Sequence, residues 1–300
     1  LYIKTHIYSM MASSTPVWLI TGCSSGFGFA LARYVAKKGH RVIATSRSPA
    51  KSPELVAEIE SLGGKWLSMD VTSADLEDNV RAAEAVHGRV DVLVNNAGYS
   101  VLGAVEEISD KDAAAQMEAN FMGPFRMMKG VLPGMRSRKY GTIMNISSAQ
   151  GLCPSPVCGI YAASKGALEN LSESLAQEVE PFGIKVLIVE PGAFRTSFSS
   201  SSNADYIMPT GDYADAGHPV AKRFAQLKAF DGTARGDPEA GARVMFEAVT
   251  GQGAAGEVIH KANFLRLIIG PDCWQRVHGK VTELRRLVDA QKELAATTDL

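Results

Sequence analysis

Near-continuous apolar runs recur along this chain at 17–21 (VWLIT), 90–94 (VDVLV), 142–146 (TIMNI) and 184–189 (IKVLIV), with helical patterns between them. A strand with one wet face alternates apolar and polar residues, whereas a strand covered on both faces reads as an unbroken apolar run. Shorter strand candidates lie at 41–45, 65–69 and 265–269. Helical patterns fall at 27–38, 73–87, 110–135, 238–249 and 271–296, and one that carries Tyr161 runs on to about 180. This β–α rhythm predicts an α/β fold: a Rossmann-like, doubly wound parallel sheet in a single domain over 17–296. Its crossovers should be right-handed and its ligand site should lie at the carboxyl edge.

Composition narrows the partners. A net charge of −1, with 46% hydrophobic and 21% charged residues, gives no electrostatic case for nucleic acid or an anionic membrane. No apolar run approaches the ~20 residues that a membrane span needs. Residues 1–16 hold no continuous apolar stretch of the secretory type and read as a disordered extension outside the fold. Cys23, Cys153, Cys158 and Cys273 match neither a disulfide framework nor paired zinc-ligand spacing, so a reduced, cytoplasmic setting and no metal site are expected.

The first strand runs directly into Gly22, Ser24, Ser25, Gly26, Phe27 and Gly28, and then into a helix. Glycines at these offsets permit a tight turn, close backbone approach to a phosphate and tight helix–strand packing, while the helix N-terminus offers free N–H groups. The same residues spell G-x-S-x-G around Ser24, the nucleophile-elbow pattern of α/β-hydrolases. Only one strand precedes it, leaving no upstream loop for a second oxyanion donor, and His218, His260 and His278 have no triad setting. The second strand ends near Arg47, with no acid for a ribose 2′-hydroxyl and with Lys51 adding charge, which favours NADP(H) over NAD(H). Asp70 and Val71 end the third strand, where the Asp can cap a helix or meet a base. Asn95, Asn96, Ala97 and Gly98 end the fourth, as a turn or a ligand approach. Asn120 is a poor mid-helix residue, and Gly123-Pro124 follows within a turn, so a local break can free a backbone carbonyl there.

The stretch 141–165 reads as strand, Gly/Pro-rich loop and helix start, and it brings Ser148, Tyr161 and Lys165 to the carboxyl edge. A hydroxyl, a phenol and an ammonium together suit proton transfer to a carbonyl oxygen, with Lys165 lowering the phenol pKa. Spacing alone does not carry this, because Tyr34 and Lys38 are also four apart on an ordinary helix. A sixth strand ends at Glu190, Pro191 and Gly192. Beyond it, 197–236 is polar and turn-rich, as expected of a mobile substrate lid with Phe198, Tyr206, Met208 and Tyr213 as apolar contacts.

Taken together, 17–294 resembles the short-chain dehydrogenase/reductase family in its core single-domain form. TGCSSGFG is similar to the family's TGxxxGxG, Asp70 to its adenine-contacting Asp, and Asn95 to Gly98 to NNAG. Asn120, Ser148, Tyr161 and Lys165 fall at the catalytic positions, and Ser148, not Ser147, has the family's spacing of thirteen before Tyr161. Pro191 and Gly192 match PG, with Phe194 and Thr196 where the nicotinamide carboxamide is held. The resemblance implies reversible hydride transfer between NADP(H) and a ketone or secondary alcohol. In that scheme Tyr161 is the acid–base group, Ser148 stabilises the oxygen, Lys165 holds the nicotinamide ribose and Asn120 supports a water relay. The family's other NADP marker, a basic residue before the second glycine, is replaced by Ser25, so the NADP expectation rests mainly on Arg47. A sugar-nucleotide epimerase or dehydratase is disfavoured by the glycine spacing and short C-terminal part, and a non-catalytic dinucleotide sensor by the complete Asn–Ser–Tyr–Lys set. A bulky hydrophobic carbonyl or alcohol substrate is expected, together with a homodimer or homotetramer formed through 110–135 and 161–180.

Overall fold

A computed structural model of the chain describes residues 15–199, 203–230 and 234–298, so most of the expected N-terminal extension lies outside the described residues. The first half runs β1 (Val17–Ile20), α1 (Gly26–Lys37), β2 (Arg41–Ser46), α2 (Pro53–Ser61), β3 (Lys65–Ser68), α3 (Leu76–His87), β4 (Val92–Asn95), β5 (Ser100–Leu102), α4 (Asp110–Met117) and α5 (Gly123–Arg138). The second half runs β6 (Gly141–Ile146), a short α6 (Ala149–Leu152), α7 (Gly159–Val179), β7 (Ile184–Pro191), β8 (Ala204–Tyr206), α8 (Pro219–Phe230), α9 (Pro238–Thr250), α10 (Gly253–Ala262), β9 (Arg266–Ile269) and α11 (Pro271–Ala296).

Seven strands form one sheet in the order β3-β2-β1-β4-β6-β7-β9, and every neighbouring pair is parallel. The unbroken apolar runs have a direct physical outcome. Trp18 and Ile20 point into one buried layer with Leu31 and Val35 of α1 and Phe246 of α9. Val17 and Leu19, alternating with them, point into the opposite layer with Val80 of α3, Val131 of α5 and Leu168 of α7. The order reverses between β1 and β4, which opens a crevice at their carboxyl ends.

The helix expected over 110–135 is interrupted by a single π-helical turn, Glu118–Met122, between α4 and α5. The cause is Pro124: it has no N–H to give to the carbonyl four residues back, which is that of Asn120. The stretch 197–236 also differs from a plain loop. It contains β8, which pairs in parallel with β5 as a separate two-stranded sheet, and α8. Its scattered apolar residues account for this, since Ala204, Val220 and Phe224 bury themselves against Leu102, Ala104, Val157 and Cys158. This small second core sits over the carboxyl edge. Among the described residues no helix is long and apolar enough to cross a membrane.

Candidate active site

The crevice is built first from glycines. Gly22 and Gly26 adopt φ of +72° and +56°, a region that side chains disfavour. A Cβ on Gly22 would lie 2.8 Å from the Ala97 Cα, and a Cβ on Gly28 would run into the Gly22 carbonyl oxygen. The turn therefore takes this course only because these positions lack side chains. Ser25 N-caps α1 in an extended conformation with no side-chain cap, so the first N–H groups of the helix have no cap oxygen upon them. Ser24 is exposed, and Ser25, Gly26 and Phe27 are half-buried beside it. Thr21 staples the next turn to this one: its Oγ accepts from the N–H groups of Asn96 and Ala97, both at 3.0 Å. Asn96 Nδ2 in turn donates to the carbonyls of Thr21 and Gly22 at 2.8 and 3.1 Å.

Other expected cofactor positions ring the same edge. Arg47 is exposed just beyond β2. Asp70 does not cap α3, which begins at Leu76; its Oδ1 accepts from the N–H and hydroxyl of Thr72 at 2.9 and 2.8 Å, with Val71 buried beside it. After Pro191, Gly192 hydrogen-bonds to Ile269 and Ala193 to Asp272. Phe194 then packs edge-on against Phe27 with centroids 4.8 Å apart. Thr196 comes down over the glycine turn, its Cβ 3.3 Å from where a Gly26 Cβ would stand. The loop after β7 thus closes on the turn after β1. A cradle lined by backbone, in which added Cβ atoms would collide, fits a dinucleotide phosphate.

The four expected catalytic residues converge beside this cradle. Ser148 N-caps α6, accepting from the Gln150 N–H at 3.2 Å, and its hydroxyl stands near enough to the Tyr161 phenol to lower its pKa. Tyr161 and Lys165 sit one turn apart on α7, with Nζ 5.9 Å from the ring centroid. The ammonium donates to the Ile146 carbonyl at 2.8 Å, tying α7 to the end of β6. Asn120 is fully buried in the π turn, where its Nδ2 donates to the Tyr99 carbonyl at 2.9 Å and to Ser164 Oγ at 3.2 Å. Gly98 lies between the two: a Cβ there would be 2.9 Å from Asn120 Oδ1 and 3.6 Å from Lys165 Nζ.

Burial governs the electrostatics. It pushes the Tyr161 phenol well above its ordinary value, with the Ser148 hydrogen bond pulling the other way. It pushes the Lys165 ammonium down to about 8, with Glu169 opposing. The sequence predicts that Lys165 lowers the phenol pKa; here burial sets the direction, and it is Ser148 that pulls the value back.

Of the four apolar candidates beyond β7, Phe198 borders the site, its ring centroid 5.7 Å from that of Tyr161. Tyr206 and Tyr213 pack inward on the small second core, and Met208 is 49% exposed. Several contributors escape a motif reading. Ser164 is signalled only by its place beside Lys165. Gln116 is fully buried and holds Val101 N–H at 2.6 Å and the Tyr99 carbonyl at 2.8 Å, with no local mark in the sequence.

The family model described as short chain dehydrogenase matches residues 16–207. The chain belongs to that family. It is 47% identical over 185 residues to an oxidoreductase of Passalora fulva, covering 61% of this chain and 84% of that one. It is 42% identical over 200 residues to a 3-ketodihydrosphingosine reductase of Bacteroides thetaiotaomicron, covering 66% of this chain and 71% of that one. Among solved structures, a short-chain dehydrogenase from Streptomyces avermitilis superposes with a TM-score of 0.83 at 36% identity, over 96% of this chain and 100% of that one.

Proposed function

We propose that this chain interconverts a bulky, apolar ketone and its secondary alcohol with NADP(H). The observation that carries the reading is the meeting of Ser148, Tyr161 and Lys165 beside the glycine cradle, with the Phe198 ring against Tyr161. Gly22, Gly26, Gly28 and the loop from Pro191 to Thr196 would hold the dinucleotide, with Asp70 and Val71 towards its adenine and Asn96, Ala97 and Gly98 along the crevice. When bound, the nicotinamide supplies the hydride in reduction and accepts it in oxidation.

The chain's own residues do the rest. Tyr161, held protonated by burial, gives its proton to the substrate oxygen in reduction, and Ser148 donates a hydrogen bond to the same oxygen as charge develops there. Lys165 places an ammonium beside the phenol, which eases its ionisation during that transfer. Asn120, tied to Tyr99 and to Ser164 beside Lys165, would support a water relay to the ammonium. The Phe198 ring against Tyr161 favours a bulky apolar substrate. The relative named for a keto reduction agrees with that class. A cytoplasmic location and a homo-oligomer belong to the same reading.

Arg47, exposed beyond β2 where no acid stands, supports the phosphorylated cofactor. The test is cofactor consumption across a ketone panel with NADPH and NADH. Bulky apolar ketones should turn over fastest with NADPH, and Arg47→Ala should narrow the preference for NADPH by roughly tenfold, the worth of one exposed charge–phosphate contact. Equal use of NADH by the unaltered protein would refute the cofactor assignment, and a preference for small polar ketones would refute the substrate class.

A further inference from the structure

Behind the catalytic face lies a buried charged cluster with no part in the scheme above. Ser147 and Ser148 are neighbours in extended chain, so their side chains leave on opposite sides. Ser148 faces Tyr161, and Ser147 donates its hydroxyl proton to Glu169 Oε1. Glu169 stands one turn beyond Lys165 on α7 and is only 2% exposed. Its second oxygen accepts from Arg266 Nη1 at 2.8 Å. The guanidinium, reaching in from β9, also binds Glu190 at the end of β7 and Glu173 on α7, the latter at 2.6 Å from Nη2.

We propose that Glu169 is a positioning residue of the catalytic centre: clamped between Ser147 and Arg266, it fixes the segment that carries Ser148 and sets a negative charge one turn from Lys165. This rests on the functional reading above for the roles of Ser148 and Lys165. Gly151 supports it, because a side chain there would collide with the Glu169 carboxylate, so α6 crosses directly over that group.

Charge places the cluster in the same system as the ammonium. Facing Glu169 are Arg266 from β9, Glu190 from β7, Cys153 from the end of α6, and Glu173 and Lys165 from its own helix. Glu169 is the charge that raises the buried ammonium against desolvation, while Arg266 screens it. Removing the carboxylate and removing its screen should therefore act on Lys165 with opposite signs.

The experiment reads Lys165 through stability and needs no turnover. Thermal midpoints are measured from pH 6 to about 10.5, a range spanning the ordinary and shifted lysine values, for each parent and for the same parent carrying Lys165→Met. Their difference reports the pH at which the folded chain releases the Lys165 proton. Glu169→Gln should move that pH down by about half a unit to one unit, and Arg266→Gln should move it up by a similar amount. Glu169→Asp, which keeps the charge, should restore the parent value. An unmoved release pH in Glu169→Gln, or the same direction of movement in both variants, overturns the proposal. If Glu169→Gln does not fold, Arg266→Gln decides alone, and an unmoved or lowered release pH overturns it. Absence of any ketone turnover would instead strike the functional reading.

Discussion

Helix α1 with its C-cap carries Tyr34 and Lys38, and α7 carries Tyr161 and Lys165, each pair one turn apart with Nζ 5.4 and 5.9 Å from its ring centroid. Local geometry is nearly shared; surroundings are not. Tyr34 rests edge-on against Phe246, 5.4 Å between centroids, and Lys38 is exposed near the amino edge of the sheet. Tyr161 and Lys165 are 7% and 5% exposed, next to the crevice where strand order reverses. Ser148, Asn120 and the Ile146 carbonyl reach the second pair or its immediate neighbours. The two pairs thus differ in what the sheet places around them, and not in their own geometry.

Exchanging single atoms breaks this comparison most sharply. Tyr161→Phe should lower ketone turnover by about a thousandfold, the range in which a positioned general acid contributes, while Tyr34→Phe should leave it within about twofold. Stopped NADPH oxidation in the first and unchanged oxidation in the second is the expected pattern in a spectrophotometric assay. Ser148→Ala follows with a loss of about a hundredfold, because one hydrogen bond to the developing charge is removed, and it should act on kcat more than on KM. Gly28→Ala is expected to weaken NADPH binding in a fluorescence titration and to cost on the order of 2 kcal/mol of stability by overpacking. Gly39→Ala, in the open turn after α1, changes only a positive φ and meets nothing within 4 Å, so its effect should be confined to a smaller stability loss of about 1 kcal/mol.

What the sequence discloses follows the reach of its signals. Unbroken apolar runs disclose the parallel sheet, since each residue alternates between two buried layers. Gly22, Gly26, Gly28 and the Tyr161–Lys165 turn are compact in sequence, and their places at the carboxyl edge follow from strand direction. Asn120 with Pro124 four residues on marks the helix interruption. The strand pair β5–β8 is hidden because three-residue strands are too short to show a period. Helix α8 is hidden because its few buried residues lie in a polar stretch. Arg266 and Glu169 are 97 positions apart, so only folding reveals their pairing. The acidity of Tyr161 is misread for a related reason: spacing displays the nearby ammonium, but desolvation is a property of the assembled core.

That last point gives the most direct test. The Lys165 ammonium is pushed from 10.5 down to about 8 by burial. Between those values the unfolded chain holds a proton that the folded chain has released, so stability should rise with pH through the window. Below about pH 8 both forms carry the proton, and the folded one bears the full desolvation penalty. Replacing Lys165 by Met should therefore stabilise the protein at pH 7 by on the order of 3 kcal/mol, and the gain should vanish as pH approaches that of an ordinary lysine. Chemical denaturation of both proteins at several pH values measures this. A gain that shrinks from pH 8 upward is the predicted result; a variant that is less stable at pH 7, or a difference independent of pH, would contradict the claim that burial sets this pair apart.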